Sequence, residues 1–122
     1  MLYKYNMSIE DENTKIFKAL ASPTRRQILD DLRDQPLTTG TLCAHFEELD
    51  RCTVMQHIKV LERADLIIPQ KKGRERWNYL NPIPIHAIHE RWIGPHAARA
   101  VERLDGLKRQ LEKAPTKGPV EA

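Results

Sequence analysis

Gln56, Lys59 and Arg63 recur three and four residues apart, with Cys52 one helical turn earlier and Thr53 beside it. An amide, a hydroxyl, an ammonium and a guanidinium presented on one face can bond base edges and phosphates. Val54, Ile58 and Leu61 recur at the same spacing on the opposite side, so the segment from Cys52 to Leu66 reads as an amphipathic helix with an inward apolar stripe. Its outward face carries no acidic side chain, which is the chemistry a helix needs to lie in a DNA major groove. Ile67, Ile68 and the basic turn Lys71-Lys72-Gly73-Arg74 follow at once. Gly73 allows a hairpin turn there. The alternation from Arg76 to Tyr79 predicts that Trp77 and Tyr79 pack inward while Arg76 and Asn78 face out.

The elements that would position this face can be read upstream. Thr38 to Phe46 has threonine caps followed by Leu42 and Phe46 four apart, a short amphipathic helix. Glu47 to Asp50 then form a turn, with Asp50 as the cap of the next helix. Before them, Ser22-Pro23 starts a helix whose core stripe is Ile28, Leu29 and Leu32, and Pro36 marks its stop. A first helix is expected from Thr14 to Leu20, with Ile16, Phe17 and Leu20 apolar.

With these residues in hand, the chain resembles the ArsR family of winged-helix transcriptional repressors from about Ile16 to Leu111. The resemblance is carried by Ala19-Leu-Ala-Ser-Pro-Thr-Arg-Arg-Gln-Ile-Leu29, by Thr53-Val-Met-Gln-His-Ile-Lys-Val-Leu-Glu62, and by Gly73-Arg-Glu-Arg-Trp-Asn-Tyr-Leu80. It implies a mainly α fold with a small β-hairpin, a winged helix-turn-helix with a long C-terminal dimerisation helix. It also implies a homodimeric repressor that leaves operator DNA when a metal or another inducer binds. The DNA contacts it implies fall on Thr53, Gln56, His57, Arg74 and Arg76. Adding the residues read from the helix face and the basic turn, the expected DNA-binding set is Cys52, Thr53, Gln56, His57, Lys59, Arg63, Lys71, Lys72, Arg74 and Arg76.

Composition bounds the reading. A chain of 122 residues suits one domain. The net charge of +3 is only mildly basic, but four cations and one acid fall between Gln70 and Arg76. No apolar run reaches membrane-span length and no secretory pattern opens the chain, so a cytoplasmic protein with no membrane partner is expected. Cys43 and Cys52 lie on two different expected helices, and a structural disulfide is not expected in that compartment. Cys52 at a helix start could sense oxidants, since helix N-termini favour thiolates; packing or capping is the plainer role. Residues 1–9 read as an N-terminal arm, with Met7 an alternative start. Residues 10–113 form the winged domain with its C-terminal helix, and the turn-rich stretch 114–122 reads as a disordered tail.

After the hairpin, Asn81-Pro82-Ile83-Pro84 opens a helical region over 84–113 that Gly94-Pro95 interrupts. Ile85, Ile88 and Trp92 lie on one face of its first part. Ala97, Ala100, Leu104, Leu107 and Leu111 then recur three and four apart, a seam that, with Trp92, suits a second copy of the chain. His86, His89, Glu90 and His96 are weak metal candidates. Imidazole and carboxylate suit zinc or nickel, yet the paired cysteines and the Asp-x-His element of the family's metal sensors do not occur, so no cofactor is expected. No phosphate loop, serine elbow or paired carboxylates indicate an enzyme. The alternative reading is a non-DNA-binding adaptor or anti-repressor on the same scaffold.

Overall fold

The computed structural model describes residues 2–94 and 97–113. The chain divides into two compact units, 1–88 and 89–122. In the first, helix α1 (Leu2–Leu20) is followed by α2 (Pro23–Leu32), strand β1 (Leu37–Thr38), α3 (Thr39–His45), α4 (Arg51–Arg63), β2 (Ile67–Lys72) and β3 (Glu75–Leu80). Helix α5 (Ile83–Trp92) begins in this unit, and α6 (Ala97–Lys113) belongs to the second. The expected tail at 114–122 and His96 lie outside the described residues.

Each helix start is a local chemical event. Ser22 accepts the Arg25 backbone N–H at 3.3 Å and Pro23 occupies the first turn of α2, where a missing N–H costs no helical bond. Thr38 caps α3 by accepting the Thr41 N–H at 3.1 Å. Helix α1 runs much further back than the expected Thr14, because nothing between residues 2 and 20 is a glycine or proline that would break it. Of its three expected apolar contacts Ile16 is buried and Leu20 packs at the core edge, whereas Phe17 is exposed.

One core holds α1 to α4 and the sheet together. Ile16, Ile28, Leu32, Leu42, Val54, Ile58, Leu61, Leu66 and Ile67 are all buried, and Ile88 of α5 packs against them. Of the α5 residues read on one face, Ile85 and Trp92 are exposed. The three strands are antiparallel in the order β1-β3-β2. Strand β1 was not foreseen. Its two residues, Leu37 opposite Asn78 and Thr38 opposite Trp77, are strand only by virtue of that pairing.

The sheet corrects the expected facing of the hairpin. Ile67, opposite Leu80, is 1% exposed, so alternation places Asn78 and Arg76 on the core-directed face and Trp77 and Tyr79 on the outer one. Asn78 is fully buried and its Nδ2 donates to the Leu37 carbonyl at 3.2 Å and to Thr39 Oγ1 at 3.1 Å, tying β3 to β1 and α3. The aromatic pair instead lies beneath the exposed Lys72, whose Nζ stands 5.9 Å from both ring centroids and donates to the Tyr79 hydroxyl at 3.2 Å.

Candidate nucleic-acid interface

Helix α4 starts on Asp50, whose Oδ1 accepts the Thr53 N–H at 2.8 Å. That backbone bond holds the Asp50 carboxyl below the usual carboxylate range, so it remains ionised at the positive end of the helix. The register that follows buries Val54, Ile58 and Leu61. Cys52, Gln56, Lys59 and Arg63 are left exposed and Thr53 half-buried, as the periodicity predicts. Both cysteines are free thiols.

The helix ends in a hard corner. Asp65 takes a left-handed φ of 63°, the Leu66 N–H donates back to the Leu61 carbonyl at 2.9 Å, and the Asp65 N–H donates to the Glu62 carbonyl at 2.9 Å. These are the two bonds of a Schellman motif, here with aspartate where glycine is usual. Asn81, at the far end of the hairpin, closes the corner from the other side: its backbone N–H reaches the Leu66 carbonyl and its Nδ2 the Asp65 carbonyl, each at 2.9 Å. The hairpin tip is a two-residue loop between Lys72 and Glu75, with Gly73 at a φ of 63°, the first-position glycine of a type II′ turn.

The ten expected contact residues do not share one environment, and Thr53 is half-buried beside the Asp50 cap. Cys52, Gln56 and Lys59 of α4 lie exposed, with Lys71 and Arg74 exposed on the hairpin. Arg76, expected among the DNA contacts, is paired with the Glu62 carboxylate, so β3 is fastened to α4. Lys72 is held over the aromatic pair. His57 is half-buried, with Nδ1 3.1 Å from Arg25 Nη1, and burial followed by the neighbouring guanidinium pushes its pKa below the usual histidine value. Arg63 lies with Lys15, Lys18 and Arg25 along a groove of about 430 Å³ between α1 and α4, rather than with the hairpin residues.

Met55 and Arg51, which the sequence reading did not include, stand exposed beside this face. Met55 is 46% exposed and borders a hollow of about 160 Å³ with Thr39, Gln56, Lys59 and Arg76. A neighbouring hollow of about 300 Å³ is shared by Arg51, Met55, Gly40 and Arg74. Their four-residue spacing would have placed them on one edge of the same face. In α5, His89 Nδ1 lies 3.8 Å from Glu90 Oε2, and among the described residues no three His, Cys, Asp or Glu side chains are grouped to hold a metal ion.

A capped helix, a tight turn and a second capped helix that corners into a hairpin define a winged helix-turn-helix domain. The profile described as a helix-turn-helix domain matches residues 20–70. The chain is 35% identical over 66 residues to the transcriptional repressor SdpR of Bacillus subtilis strain 168, covering 54% of this chain and 72% of that protein. It is 34% identical over 82 residues to the HTH-type transcriptional regulator Rv2034 of Mycobacterium tuberculosis H37Rv, covering 67% and 76%. A crystal structure of an ArsR family transcriptional regulator superposes with a TM-score of 0.60 at 29% identity, over 88% of this chain and 96% of that one. The chain belongs to the ArsR family of winged helix-turn-helix transcriptional regulators.

Proposed function

We propose that this protein is a cytoplasmic homodimeric repressor that reads a near-palindromic operator, with α4 of each copy in a major groove and the hairpin tip on the flanking backbone. The observation that carries this reading is the outward face of α4, where an amide and cations stand exposed beside the exposed Lys71 and Arg74, while the one half-buried acid of that helix, Glu62, is neutralised by Arg76. The repressor role is supported by the similarity to SdpR, which is named as one. The dimer is supported by α6, where Leu104, Leu107 and Leu111 are 64%, 49% and 66% exposed along the predicted seam. No helix among the described residues is long and apolar enough to cross a membrane.

A salt titration of binding to random-sequence duplex DNA tests the central claim. A phosphate-contacting protein loses affinity steeply and log-linearly as salt rises. Salt-insensitive or undetectable binding would transfer the weight to the adaptor reading.

A further inference from the structure

We propose that Arg25 is a positioning residue for the DNA-facing helix, holding His57 of α4 as a neutral imidazole with its proton on Nε2. The inference rests on the DNA reading above only for what the fixed ring would then contact.

Arg25 stands in the first turn of α2, and its side chain turns back to the end of α1. Nε donates to the Ala19 carbonyl at 2.8 Å and Nη2 to the Lys18 carbonyl at 3.1 Å. Carbonyls in the last turn of a helix carry partial negative charge, and that of Lys18, which also accepts the Ala21 N–H at 3.2 Å, takes the guanidinium as a second donor, so the charge is well placed. A planar group pinned at two of its nitrogens has its third direction fixed. That third direction ends at His57 Nδ1, 3.1 Å from Nη1.

The chemistry of the pair leaves one assignment. Arginine has five N–H donors and no acceptor, so a bond between these nitrogens requires His57 Nδ1 to present a lone pair. The ring proton then sits on Nε2. A second proton on the ring would remove that lone pair and set an imidazolium against the guanidinium, and burial of His57 opposes it as well. His57 therefore has one oriented donor left, suited to a phosphate oxygen, guanine N7 or O6, or thymine O4, and no acceptor with which to meet an exocyclic amine.

The bond can be read directly by two-bond proton–nitrogen NMR correlations of the histidine rings in the full chain. Above neutral pH the unmodified protein is expected to show His57 in the Nε2–H form; a mixture of tautomers or the Nδ1–H form would overturn the proposal. In Arg25→Met, which keeps the aliphatic stem, His57 is expected to become a tautomer mixture and to titrate at higher pH, and an unchanged ring would also overturn it. If Arg25→Met does not fold, Arg25→Lys serves, because one ammonium cannot span all three contacts.

The positioning role is tested on duplexes that the unmodified protein selects from a random-sequence pool. Arg25→Met and His57→Ala should each weaken binding to the selected duplex about tenfold, and the double variant no further, since both remove the same contact. Additive losses would refute the positioning role even with the tautomer as expected. Failure of the unmodified protein to bind any duplex would sink the DNA reading, while the NMR result still decides the Arg25–His57 assignment.

Discussion

Arg74 and Arg76 stand two positions apart on one hairpin, yet their surroundings give them opposite tasks. Arg74 is exposed at the tip, so Arg74→Ala is expected to weaken all duplexes alike and lower the slope of log affinity against log salt by about one. Arg76 is spent on Glu62, and Arg76→Ala should lower folding stability by about 1 to 2 kcal/mol, because it leaves a half-buried carboxylate without its partner. Denaturant unfolding of both variants separates the two; an Arg76→Ala protein of unchanged stability would show that the pair with Glu62 does not hold β3 to α4. Gln56 is exposed and carries an amide able to bond adenine through two atoms. Gln56→Ala should cost about 1 to 3 kcal/mol on a selected duplex and little on random DNA. Equal losses on both would mean that Gln56 does not read sequence. His57 adds a pH effect of definite sign. Its folded pKa lies below the ordinary 6.5, so as pH falls the unfolded chain takes up the proton first. The stability that neutral His57 contributes is present above that value and declines as pH drops through the lower folded pKa. Unfolding midpoints at about pH 7.5 and about pH 5.5 should therefore differ less in His57→Gln than in the unmodified protein. An equal difference in the two would show that another group sets the slope.

Among the elements, those with local signals were legible and those made by distant pairing were not. Asp50, Ser22 and Thr38 each satisfy backbone donors three residues away, and Val54, Ile58 and Leu61 repeat along a single helix, so a short window of sequence contains all the relevant contacts. The exposed polar face of α4 followed from the same window. In the hairpin, alternation gave two faces but not which was inner. Hydrophobicity favoured Trp77 and Tyr79 for the core. The deciding contact, from Asn78 to the Leu37 carbonyl, spans 41 residues and depends on a two-residue strand with no signature of its own. The same distance concealed the fate of Arg76, because Glu62 reads as part of a helix face until the hairpin folds beside it. Asn78→Ala would remove both of these buried donations, and a loss of about 1 to 3 kcal/mol in unfolding free energy is expected. Near-wild-type stability would mean that β1 is held by its backbone ladder alone.

For the molecule as a whole, the proposed assembly depends on α6. Leu104→Asp together with Leu107→Asp places charges in the exposed apolar seam, where burial against a second copy would leave them unpartnered. Sedimentation is expected to show a dimer for the unmodified protein and a monomer for the variant, with weaker operator binding, because one winged domain makes half the contacts. A monomeric unmodified protein at micromolar concentration would remove the dimer and with it the palindromic operator. The corner after α4 bears on how such an operator can vary. Helix and hairpin meet through the bonds around Asp65, the Asn81 clasp and the Glu62–Arg76 pair, with no slack segment between them. The unit thus behaves as a caliper whose jaws are set at folding. On the proposed DNA reading, a base pair inserted between the positions taken by α4 and by the hairpin tip is expected to be absorbed by the duplex or by the joint between two copies rather than by bending at this corner.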